Sequence, residues 1–98
     1  MQANILALWR KNGEKNFLTG KIVSDIKFDF MIYSRHTSIV QFYIKDKRKN
    51  IIKIVGHDKI ADYCYKNLKK NNIVFIEGRM EKVKDEMVIK INEIVSFF

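Results

Sequence analysis

Residues 39–45 alternate without a break, with Val40, Phe42 and Ile44 on one side and Gln41, Tyr43 and Lys45 on the other. That is the period of a strand with one face in a core and one face free. The rhythm returns in residues 51–55, where Ile52 and Ile54 oppose Lys53. It is present again in residues 27–33, where Phe28, Phe30 and Ile32 alternate with Lys27, Asp29 and Met31, so a third half-buried strand is expected there.

The remaining segments fall into place around these runs. Residues 17–23 are strand-like but interrupted by Gly20, whose missing side chain permits the bulge or sharp coil that a closed barrel needs. A turn is expected at residues 34–37. Residues 46–50 form a charged connection carrying Lys47, Arg48 and Lys49, so the two strands it joins make a hairpin with a basic tip. Gly56 ends the strand, and Asp58 stands where it would cap a helix over residues 59–70 with Ile60, Ala61, Cys64 and Leu68 as its apolar stripe. Lys69 and Lys70 suit the negative end of that helix dipole, and Asn71 and Asn72 suit the turn after it. Two further strand runs, 73–80 and 87–95, are joined by a short charged hairpin. Ahead of all this, residues 1–15 form an N-terminal extension whose Ile5, Leu6, Leu8 and Trp9 make an apolar cluster, leaving residues 16–98 as the folded domain.

Composition narrows the function. A chain of 98 residues, 47% hydrophobic and without proline, suits one domain with a modest core. Nineteen Lys and Arg against eleven Asp and Glu give a formal charge of +8, and phosphate neutralisation by such residues supplies most non-specific nucleic-acid affinity. Cys64 is the sole cysteine, which excludes an internal disulfide and leaves no Cys/His spacing for zinc. There is no activated Ser or Cys triad, no metal-ligand spacing and no phosphate-cradling glycine motif, so an enzyme is not expected, and neither is a metal or a cofactor. No apolar run reaches membrane-span length, and residues 2–9 are too short for a signal peptide. An intracellular setting is expected.

A β-β-β-α-β-β order in a chain this short, with a glycine in the first strand, is the ordering of the OB-fold, a mainly β, five-stranded barrel with one helix between strands 3 and 4. Three stretches narrow it further: Ile54-Val55-Gly56-His57-Asp58-Lys59-Ile60-Ala61, then Tyr65-Lys66-Asn67-Leu68-Lys69-Lys70, then Val74-Phe75-Ile76-Glu77-Gly78-Arg79. Together with Asn16-Phe17-Leu18-Thr19-Gly20-Lys21-Ile22 and Asp25, they resemble the bacterial and organellar single-stranded-DNA-binding protein (SSB) family over about residues 16–96. The short length and the Gln41-Phe42 and Gly56-His57 pairs are similar to the primosomal protein N branch, and the Ile, Lys and Asn bias to short plastid-encoded relatives.

The resemblance implies sequence-tolerant binding of single-stranded DNA, or RNA, with bases stacked on aromatic side chains and cations following the backbone. Carried onto this sequence, the outward face of the hairpin supplies Gln41, Tyr43, Lys45 and Lys53, its tip Lys47, Arg48 and Lys49, and the last hairpin Arg79, Lys82 and Lys84. Tyr43 is the clear stacking candidate. Where the family places tryptophans, this chain has Lys49 or Asn50 and Asp85 or Glu86, and it ends at Phe98 without an acidic recruitment tail. The resemblance also implies a homo-oligomer, dimer or tetramer, working in the bacterial cytoplasm and nucleoid or in a plastid stroma. The competing expectation is a structural or interaction subunit of a replication or organellar complex that kept the barrel, lost the stacking platform and docks through Leu8, Trp9, Phe97 and Phe98.

Overall fold

A computed structural model describes residues 16–32 and 34–97, the last of these in its backbone alone. The Leu8, Trp9 and Phe98 expectations, and that for the Phe97 side chain, lie outside the described residues. Among the described residues the strands are β1 (Asn16–Ile22), β2 (Lys27–Phe30), β3 (Ser38–Lys45), β4 (Ile51–His57), β5 (Ile73–Val83) and β6 (Glu86–Phe97), and a helix, α1 (Lys59–Asn67), lies between β4 and β5. Four strands precede the helix, in the places of the four runs at 17–23, 27–33, 39–45 and 51–55, so it lies between the fourth and fifth strands of six and not between strands 3 and 4 of five.

The strands pair in the order β1-β5-β6-β4-β3-β2, and β1 also pairs with β3 through Lys21 with Lys45 and Ile22 with Ile44. The ladder therefore returns to its first strand, and β2 is left outside the ring. Gly20 serves this return by its size. A Cβ there would stand 2.9 Å from the Lys45 carbonyl oxygen and 3.1 Å from the Ile44 side chain. Of the bulge or sharp coil that Gly20 permits, no bulge forms there; the bulge lies between Glu77 and Gly78, where β5 slips against β6. Pairing of β1 with β5 runs through Gly20 unbroken.

Alternation decides the core. Val40, Phe42, Ile44, Ile52 and Ile54 are buried as expected, joined by Leu18, Ile22, Val74, Ile76 and Ile89, while Ala61, Cys64 and Leu68 fill the core from the helix. Burial pushes the Cys64 thiol up to about 12.

The third alternating run behaves differently from its pattern. Only residues 27–30 form strand; Phe28 packs against the core, but Phe30 is 80% and Ile32 81% exposed. A period of two shows which side chains share a face, and it says nothing about whether a neighbour covers that face. Beyond the ring, the inner side of β2 meets Tyr65 of α1, whose ring lies 4.7 Å from that of Phe28, and past Phe28 the side chains of Phe30 and Ile32 stay largely uncovered.

The helix also departs from expectation at both ends. It stops at Asn67, three residues short of the expected end. The Asp58 side chain makes no capping hydrogen bond. Its Oδ1 instead accepts from the Thr37 amide at 2.7 Å and the Thr37 hydroxyl at 3.0 Å, and its Oδ2 lies 2.8 Å from His36 Nδ1. These bonds tie the turn before β3 to the start of α1 and hold Asp58 at a φ of 57°, a conformation that costs about 1–3 kcal/mol without such support.

Candidate nucleic-acid interface

Cross-strand register assembles the outer face. Lys27 stands opposite Gln41, Gln41 opposite Val55, Val55 opposite Lys90 and Lys90 opposite Arg79, so one row crosses five strands. The adjacent row runs Tyr43, Lys53, Val88, Glu81. Side chains directly opposite one another share a face, so both rows lie on the side away from Phe42, Ile54 and Ile89.

An open cleft of about 330 Å³ lies at one end of these rows, lined by Ser24, Asp25, Lys27, Gln41, Tyr43 and Lys53. Tyr43 is held there at two points. Its amide donates to Ser24 Oγ at 2.8 Å, and its hydroxyl donates to Glu86 Oε2 at 2.9 Å, linking β3 to the turn end of the β5–β6 hairpin. The hydrogen bond to Glu86, with some desolvation and the carboxylate's charge, raises the phenol above its usual range. The ring is fixed and half-buried, with Lys53 beside it.

Of the residues expected at the site, Gln41, Tyr43 and Lys53 thus come together, and Arg79 joins them through Lys90. Arg79 and Lys90 line a depression of about 250 Å³ with Glu81 and Asn92, where Lys90 Nζ lies 4.0 Å from Glu81 Oε2. Such an exposed pair is worth little, and it leaves both cations near solvent. Lys45 and Lys47 belong to a separate depression of about 190 Å³ beside Lys21, Thr19 and Ile73, where the ring closes. Lys82 and Lys84 do not join. Lys84 sits in the two-residue turn with Asp85, both at positive φ, and Lys82 alternates to the face opposite Arg79 on the projecting hairpin.

The basic tip is an ordered loop. Asp46, nearly buried, accepts at Oδ1 from the amides of Arg48 and Asn50, each at 2.9 Å, and at Oδ2 from the Asn50 side chain at 3.2 Å. This leaves Lys47, Arg48 and Lys49 exposed around a fixed turn.

Lys27 and Lys90 in the row, and Lys21 in the separate depression, add cations beyond those expected from the sequence. Lys90 had a signal of the same kind as Lys53, a lysine between Ile89 and Ile91. His57 also lies near this surface, its ring stacked on His36 at 4.1 Å. Desolvation first, then the charges of His36 and Lys90, lower its pKa.

No protein-family model and no curated protein matches the sequence. Solved structures do match the fold. A small single-stranded DNA-binding protein from Streptomyces coelicolor superposes with a TM-score of 0.75 at 14% identity, over 90% of this chain and 96% of that one. The SSB domain of a protein from Synechococcus sp. gives 0.74 at 13% identity, over 82% and 91%. The second OB-fold domain of replication protein A from Methanococcus maripaludis gives 0.71 at 15% identity, over 86% and 84%. At these identities the likeness is one of fold.

Proposed function

We propose that this chain is an OB-type barrel that binds single-stranded DNA across the outer face of β3, β4, β6 and β5, without catalysis. The observation that carries the reading is the pair of cross-strand rows, in which Lys27, Lys53, Lys90 and Arg79 flank the ring of Tyr43. Cations spaced along a groove follow phosphates, and a fixed aromatic ring offers a stacking surface to any base. The exposed tip of Lys47, Arg48 and Lys49 extends the same path. Support also comes from the fold's neighbour in Streptomyces coelicolor, which is named a small single-stranded DNA-binding protein.

The test is anisotropy of a labelled single-stranded oligonucleotide with the intact protein. Binding is expected to weaken steeply with salt, and Tyr43→Ala to lose about 1–3 kcal/mol, the usual worth of one stacked base. Absent or salt-independent binding refutes the assignment. An RNA oligonucleotide of the same sequence, run as competitor, separates DNA from RNA binding.

We further propose that the chain works as a homo-oligomer through the free edge of β2. Met31 donates its amide to the Thr37 carbonyl at 2.9 Å, so the alternate peptide groups of Phe28 and Phe30 face away from β3. A second copy pairing antiparallel about Phe30 would set Phe28 against Ile32 of the other copy, covering the two most exposed large apolar side chains among the described residues. This same edge favours the interaction-subunit reading if DNA binding fails.

A further inference from the structure

Glu86 is out of place on a phosphate-binding face. Its carboxylate repels phosphates, yet it stands at the hydroxyl of Tyr43, the aromatic ring that the cross-strand rows carry among the described residues, joined to it by a 2.9 Å hydrogen bond. Holding the ring accounts for part of this. A neutral glutamine would accept that bond as well, so positioning alone does not call for a charge.

An ionised carboxylate has about four acceptor sites and no donor. The phenol occupies one, which leaves the others to accept from the edge of a base laid on the ring. The cleft next to Tyr43, about 330 Å³, is wide enough for a nucleobase and is bordered by Lys27 and Lys53 for its phosphates, while Glu86 stands outside its lining, at the hydroxyl end of the Tyr43 ring. Under these conditions the carboxylate reads what the base edge offers. Cytosine presents an amino group at its 4-position, and Glu or Asp accepting from that group is a recurrent base contact. Uracil and thymine present a carbonyl oxygen there, which faces the carboxylate lone pair against lone pair.

We propose that Glu86 is a specificity-determining residue that weights the Tyr43 subsite toward amino-bearing bases, cytosine over uracil or thymine. The inference rests on the single-strand reading and refines it: the groove as a whole accepts any sequence, and one subsite in it is biased.

The experiment compares fifteen-nucleotide oligomers of deoxycytidine and deoxyuridine, alike in size and backbone and differing at the Watson–Crick edge, on the intact protein at fixed salt. Wild type is expected to bind the cytosine oligomer about fivefold more tightly, the range of one net hydrogen bond. Glu86→Gln is expected to bring the ratio close to one, because an amide turns either its oxygen or its NH2 to the base, and to tighten both complexes by removing a negative charge. Since each ratio is internal to one protein, a general loss of stability does not mimic the result. A wild-type ratio at or below one, or a preference unchanged in Glu86→Gln, overturns the inference and leaves the single-strand reading standing. Binding to neither oligomer overturns both.

Discussion

Replacing Lys53, Arg79 and Lys90 together by glutamine tests whether the outer face is the nucleic-acid path. Each phosphate neutralised on a single strand contributes about −0.7 to the slope of log K against log salt. If Lys27, Lys53, Lys90, Arg79 and the three tip cations each meet one phosphate, the wild-type slope is about −5. The triple variant should lie about 2 units shallower, so between about 0.05 and 0.5 M salt it loses roughly three powers of ten in affinity where wild type loses roughly five. A second triple variant, Lys66, Lys69 and Lys70 to glutamine, removes the same charge from exposed positions at the end of α1, away from the rows. It should lower affinity slightly through long-range attraction and leave the slope within about half a unit of wild type. Anisotropy titrations at several salt concentrations give each slope directly. Equal flattening by the two variants would mean that the protein attracts DNA through net charge alone, and the proposed path would be wrong.

Gly78→Ala should destabilise the fold by about 2–4 kcal/mol in urea unfolding, because its Cβ would stand 2.3 Å from the Lys90 carbonyl oxygen and only backbone movement relieves that clash; a loss under about 0.5 kcal/mol contradicts the β5–β6 bulge geometry. Phe30→Lys with Ile32→Lys should shift the protein to monomer in light scattering while leaving its melting temperature nearly unchanged, since both side chains lie outside the core; an unchanged oligomer rules out the β2 edge. His57 should titrate by NMR below its ordinary 6.5, since desolvation and the nearby charges of His36 and Lys90 disfavour its protonated form. Asp58 is likewise held below its ordinary 3.8, with the His36 hydrogen bond as the largest cause and the Thr37 amide next. For both groups the unfolded chain takes up its proton at higher pH than the folded one. Their contribution to stability is therefore full above about pH 6.5, declines first as pH falls through the His57 window, and declines again below the ordinary carboxylate range. A His57 midpoint above 6.5 contradicts the packing at that corner.

Which side chains of β3 and β4 point inward is legible in the residues alone, because alternation is a local property of extended backbone and needs no knowledge of the partner strand. The position of the helix to within a turn and the place of the basic tip are legible for the same reason: a glycine, a 3.6-residue stripe and a charged connection are read from adjacent residues. So is the placing of Tyr43, Gln41 and Lys53 on one surface, since they follow from the same two alternating runs.

Tertiary structure decided what depends on register and closure. Lys90 meets Arg79 and extends the row from Lys27 through a parallel pairing of β4 with β6, a relation between residues more than thirty positions apart. Glu86 meets the Tyr43 hydroxyl across forty-three positions, and Asp58 turns from its own helix to Thr37 twenty-one positions back. Phe30 and Ile32 carry the same local pattern as Phe42 and Ile44, yet only the second pair is buried. The difference is that β3 lies inside the ring and β2 at the free end of the sheet, and a side chain's burial is set by what the chain brings over it.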